Sequence, residues 1–156
     1  MSLAFASLFL AGLLGTISWI DFRQMIIPDL LNLALATSGV VVSILLLENS
    51  LLSILLQSAA VFAAMWGLAS GYERFRKISG LGGGDIKFLS AATCWVSLLG
   101  LPWVLLLGSL SALSFAAVSH LLGHFKAGQR LAFGPHLSLG LFATWMLRDE
   151  LFNFQI

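Results

Sequence analysis

The chain has 156 residues, 59% of them hydrophobic and 10% charged, with a net charge of +1 and a mean hydropathy of +0.98. Soluble domains carry roughly a quarter of their residues as charged side chains, so this composition excludes a water-soluble globule, and no basic run offers a nucleic-acid surface. The single cysteine, Cys94, excludes an intrachain disulfide and a cysteine-cluster zinc site.

The first predicted element, about Leu3 to Ile20, is apolar with no basic segment before it, so it reads as a retained helix rather than a cleaved signal peptide. A second span runs from Leu30 to Leu47. A short polar hairpin follows at Glu48 to Ser50, and a third span covers Leu51 to Gly71. The polar stretch "YERFRKISGLGGGDIK" leads into a fourth span, Phe88 to Leu99, which Gly100 to Pro102 interrupts. A fifth runs from Trp103 to Leu122 and, after "GHFKAGQR", a sixth from about Leu131 to Leu147. With no internal repeat and no linker, the expectation is one domain over residues 1–156. It is an all-α membrane protein, a bundle of six transmembrane helices. The fourth span is short, rising roughly 18 Å against a hydrocarbon core of about 30 Å. Either it tilts into the bundle or the glycine stretch before it lies at membrane depth, where irregular backbone needs protein or a wet cavity around it.

The cations orient this bundle. Arg23, Arg74, Arg76, Lys77, Lys87, Lys126 and Arg130 fall in the loops after spans one, three and five, and only Arg148 falls opposite. The positive-inside rule makes those loops cytoplasmic and puts both termini on the outer side.

The acids then sort by position. Glu48, Asp149 and Glu150 belong to outer turns, and Glu73 sits among Arg74, Arg76 and Lys77 as a solvated loop charge. Asp21, Asp29 and Asp85 remain, all at the cytoplasmic boundary. An acid at a helix start caps free N–H groups and suits the positive end of the dipole, which fits Asp29 and Asp85. Asp21 falls at the C-terminal end of its helix, where the dipole disfavours it, so it reads as a functional candidate, as does Asp85 behind its glycine arm. Gly82, Gly83 and Gly84 ahead of Asp85 form an expected active-site loop: they accept positive φ and leave clearance for another backbone. A phosphate loop needs a GK[ST] ending and a preceding strand, and neither is present. His120 and His124 have no accompanying acid motif and read as interfacial residues, so no metal site is expected.

Two carboxylates without a nucleophile dyad suit aspartic proteolysis. Close carboxylates share one proton; the ionised member takes a proton from water while the protonated member polarises the peptide carbonyl. The pair titrates as a unit, so the sequence does not say which aspartate is protonated.

Three segments carry a resemblance. "DFRQMIIPD" (21–29) has an acid, a basic residue two on, and Ile-Pro; "GLGGGDIKF" (80–88) reads G-x-G-D-x-K; "LAFGPHLSLG" (131–140) holds Phe-Gly-Pro. In this order the chain resembles, over essentially its whole length, the type IV prepilin peptidases, membrane aspartic proteases of the GxGD kind. The resemblance implies catalysis by Asp21 and Asp85 at the cytoplasmic face of the inner membrane. The partner would be a prepilin or pseudopilin whose short basic leader is cut, with no cofactor. Long members of that family carry a cysteine-quartet zinc domain used in N-methylation. With Cys94 alone, the expectation is a short form without methyltransferase activity, like the enzymes of tight-adherence pili or the archaeal preflagellin peptidases. Asp29 stands where Asn is commoner in the family and is read as a helix cap, the alternative being a third carboxylate that perturbs the pair. Lys87 either steadies the pair's charge or serves the positive-inside bias, and Arg23 is a possible support. His136, where a bulky apolar residue is expected, is read as structural. A presenilin-like enzyme would need Tyr-Asp where this chain has Ile20-Asp21.

The other function class is a small multi-span transporter or membrane scaffold whose interfacial acids cap helices. Ala59, Ala63, Gly67 and Gly71 form a small-residue face on span three, expected to press against another span. The tryptophans, Trp19 and Trp103 among them, are expected to include interface anchors.

Overall fold

The structure, a computed structural model, describes residues 3–77, 82–123 and 131–149. Among the described residues there are five helices and no strand: α1 (Leu3–Gln24), α2 (Asp29–Leu46), α3 (Leu51–Arg76), α4 (Gly83–Leu121) and α5 (Gly134–Met146). The first four are each long and apolar enough to cross a membrane, and the chain is a multi-pass membrane protein. Leucines face outward all around it, Leu8, Leu30, Leu52 and Leu113 each being exposed, as a lipid solvent permits. Some polar side chains turn inward. Ser43 and Thr144 are buried and donate to the carbonyls of Cys94 and Gly140, since hydrocarbon offers a hydroxyl no other partner.

Spans four and five, expected as separate helices, follow one another within α4 and meet at a break inside it. The break falls at Ser97 (φ 58, ψ 178), not at Gly100 to Pro102. The physical reason lies in α3: Gln57 Oε1 accepts the Leu98 N–H at 2.8 Å and so caps the second segment from outside. Pro102 then stands near the start of that segment, where its missing N–H forfeits a single bond. The two segments of α4 run in opposite directions. The first carries Asp85, at the same end as Asp21, up to Trp95, whose ring meets Trp145 of α5. The second descends along α5, with Val104 against Gly140 and then Gly108 and Ser111 against His136.

The small-residue face of α3 is not a packing face. Ala59, Ala63 and Gly67 are exposed, and a Cβ added at Gly67 or Gly71 would meet nothing. α3 packs through Ile54, Ser58 and Val61, because Ser58 and Ser90 exchange hydroxyl-to-carbonyl bonds of 3.0 and 2.9 Å that fix the contacting side. The close approach is made by α2 on α4 instead. A Cβ at Gly39 would stand 2.6 Å from Trp95 Cδ1 and 2.8 Å from Cys94 Cβ. Trp95 and Trp145 are core residues in edge-to-face contact at 5.2 Å, their indole N–H groups held by Leu35 O and Ser7 Oγ. Trp19 and Trp66 are exposed. Cys94 is buried beside them.

Candidate active site

A cavity of about 270 Å³ opens where α1 ends and α2, α4 and α5 begin. It is lined by Asp21, the α1–α2 connection from Met25 to Ile27, Asp29, Gly82 to Asp85, and Leu131 to Phe133. Three polypeptide segments far apart in sequence therefore converge on one space.

Asp21 lies in the last turn of α1 and is 5% exposed. Its Oδ2 accepts the Gly134 N–H at 2.8 Å. Gly134 is the first residue of α5, where backbone N–H groups have no helical acceptor. The carboxylate that α1 disfavours at its own end thus meets the N-terminal end of another helix. Only glycine fits there, since a Cβ at 134 would lie 2.7 Å from Asp21 Oδ2 and 2.8 Å from its Cγ.

Asp85 is half-buried, the third residue of α4. Its N–H donates to Gly82 O at 3.0 Å, and its Oδ2 lies 3.2 Å from where a Cβ at Gly82 would stand. The side chain lies back over the start of the helix, and Asp21 and Asp85 face the same cavity.

The glycines before Asp85 take a different form from the expected loop. Gly82 is the N-cap of α4 with φ −67 and ψ 140, and Gly83 and Gly84 are the first helical residues. None has positive φ. Their smallness serves neighbours within the chain. A Cβ at Gly84 would stand 3.2 Å from Ile27 Cβ, and one at Gly82 3.2 Å from Asp85 Oδ2; only Gly83 faces open space.

The remaining expected residues fall around this centre. Asp29 begins α2 but makes no side-chain cap bond; it pairs with Lys87 at 2.6 Å. Both are exposed, so the pair contributes at most about 1 kcal/mol. Lys87 is thereby turned to Asp29. Arg23 stacks over the Trp19 ring at 4.4 Å and does not line the cavity. His136 points to α4, its Nδ1 2.8 Å from Ser111 Oγ and its ring beside Phe115. His124, Lys126 and Arg130 lie outside the described residues. Reading the acids alone misses Gly134; its signal is a glycine directly before a helix-opening proline in "FGP".

Residues 8–117 match the type IV leader peptidase family. The prepilin leader peptidase/N-methyltransferase of Escherichia coli (strain K12) is 36% identical over 125 residues, 80% of this chain and 55% of that protein. The protein of the same description from Aeromonas salmonicida (strain A449) is 31% identical over 141 residues, 90% of this chain and 47% of that one. That from Burkholderia pseudomallei (strain K96243) is 30% identical over 141 residues, 90% and 46% respectively. The chain spans about half the length of the curated relatives it matches. No solved structure is a significant match.

Proposed function

The chain belongs to the type IV leader peptidase family, and from that premise we propose that it is a membrane aspartic endopeptidase. It cleaves the leader of prepilin or pseudopilin proteins at the cytoplasmic face of the inner membrane. Asp21 and Asp85 are the catalytic pair. One ionised carboxylate takes a proton from the attacking water, and the other, protonated, polarises the scissile carbonyl. The observation that carries this reading is the meeting of Asp21 and Asp85 in one cavity, with Asp21 held by the Gly134 N–H. The apolar lining from Met25, Ile26, Leu131 and Phe133 offers contact for an extended substrate segment. Gly83, the one of the three glycines before Asp85 with open space around it, leaves room for a substrate backbone.

The proposed topology has six passes, counting the two segments of α4 separately, with both termini outside. It rests on the cation bias across the loops. α5 has 13 residues, fewer than the roughly 20 that span a bilayer, and the first segment of α4 is short as well. Two short elements that begin at the cavity recess it from the bilayer surface, toward the end of a substrate's membrane helix. The proposal covers the cleavage step; methyl transfer is not assigned to these residues.

Replacing either aspartate tests the reading. Asp21→Asn and Asp85→Asn are each expected to lower cleavage of a co-expressed prepilin by on the order of 10²–10⁴-fold, while the protein still inserts. Normal cleavage by either variant would refute the pair.

A further inference from the structure

Asn32 lies one turn into α2 from Asp29 and is 5% exposed, among apolar neighbours. Its Nδ2 donates to the carbonyl of Gly84 at 3.4 Å. Its Oδ1 is buried with no hydrogen-bond partner among the described residues. A buried amide whose oxygen has no partner carries a desolvation penalty of about 1–3 kcal/mol, against about 0.5–1.5 kcal/mol for the one bond its nitrogen makes. Stability therefore does not account for an asparagine here.

What the amide does hold is the residue immediately before Asp85. Gly84 is gripped from two sides by the same stretch of chain: Ile27 fills the space where its Cβ would be, and Asn32 takes its carbonyl. Ile27 belongs to the connection that leaves Asp21, so the grip sets the first turn of α4 relative to the end of α1. The Lys87–Asp29 pair spans the same two helices but is exposed, so solvent screens it. Further along, α2 and α4 meet again through Trp95 Nε1 to Leu35 O at 2.9 Å and Ser43 Oγ to Cys94 O at 2.7 Å. Those bonds fix the far end of the segment and leave its first turn to Asn32.

We infer that Asn32 is a positioning residue that, through Gly84, sets the Asp85 carboxylate against Asp21. It does not touch the reacting atoms and is not itself among the residues that line the cavity. The inference rests on the proposed peptidase reading and adds to it a residue that acts on geometry alone.

Purified full-length protein and a prepilin substrate decide it, with Asp85→Asn as control. Asn32→Leu keeps the volume and removes the donor. The expected result is a thermal midpoint equal to or above the parent's, kcat lower by roughly 10- to 100-fold, and KM unchanged. Asn32→Asp keeps the shape; ionised it has no donor, and protonated it regains an O–H for the Gly84 carbonyl. Its activity is expected to be low at neutral pH and to rise toward the parent's as pH falls. Parental kcat in Asn32→Leu overturns the inference. So does a lowered midpoint with activity lost in proportion, which is the mark of a packing role. If Asn32→Leu does not insert, the pH profile of Asn32→Asp decides alone, and a profile parallel to the parent's overturns the inference. A parent that fails to cleave, or an Asp85→Asn protein that still does, refutes the peptidase reading itself and the inference with it.

Discussion

Asp21 stands at the wrong end of its own helix and the right end of another. The free carbonyls closing α1 repel its carboxylate, whereas the opening N–H of α5 donates to it at 2.8 Å. That bond is made by Oδ2, and Asp21 lines the cavity. Gly134→Ala would drive a methyl to within 2.7 Å of Oδ2, and because 134 is buried backbone, Asp21 has to turn away. Overpacking of this kind costs about 1–3 kcal/mol, and displacement of a reacting group by about 1 Å costs up to about 100-fold in rate. Gly134→Ala is therefore expected to insert, melt somewhat earlier in detergent and cleave prepilin at a few per cent of the parental rate or less. A cleavage time course beside a melting curve checks both. Asp21 was legible in the sequence because an acid at a helix C-terminus beside hydrocarbon is a conflict. Its partner was not, because a glycine shows nothing of what its missing Cβ makes room for. The same blindness applies to Gly82 and Gly84, read as clearance for a substrate and found to clear Asp85 and Ile27. Asn32 had a signal, a lone amide within "LLNLALA", yet nothing in the sequence told which carbonyl it meets.

At the scale of helices, the sequence pattern located apolar spans well and their junctions poorly. α1, α2 and α3 lie close to the expected segments, since runs of leucine and alanine between charged turns leave little choice. The turn inside α4 was assigned to Gly100 to Pro102 on residue preference, but tertiary contact decides it. Gln57 reaches across from α3 to the Leu98 N–H, and that cap sets Ser97 at φ 58 and ψ 178, a region nearly reserved for glycine. Such a residue stores about 1–3 kcal/mol of strain, against roughly 0.4–1 kcal/mol for the greater unfolded freedom of glycine. Ser97→Gly is thus expected to raise the stability of the detergent-solubilised protein by about 1 kcal/mol. Its cleavage rate should stay unchanged, the site being at the opposite end of the segment. An unchanged or lower thermal midpoint would mean that the turn is not strained. The misread face of α3 has a related cause: small residues permit close packing, but the reciprocal Ser58–Ser90 bonds choose which face is used.

For the whole molecule, lipid inverts the usual sorting. Apolar side chains cover both surface and core, so helix faces differ little in hydrophobicity and the inward direction is written by the few polar residues: Asp21, Asn32, Ser43, Ser58, Ser90 and Thr144. Orientation is written separately, by cations in the loops, and helix packing alone cannot specify it. If the loops after spans one, three and five are cytoplasmic, the α2–α3 turn at Ser50 faces outward and Glu73, near the end of α3, faces the cytoplasm. The lone Cys94 is buried, so the parental chain is a quiet background for thiol labelling. Ser50→Cys and Glu73→Cys are both exposed positions and retain every lysine and arginine. A membrane-impermeant maleimide added to intact spheroplasts is expected to label Ser50→Cys at once and Glu73→Cys only after permeabilisation. The reverse pattern would turn the cavity holding Asp21 and Asp85 to the outer face. There it could not meet a leader peptide before its membrane helix is translocated, and cleavage at the cytoplasmic face would have to be abandoned even with the aspartate pair intact.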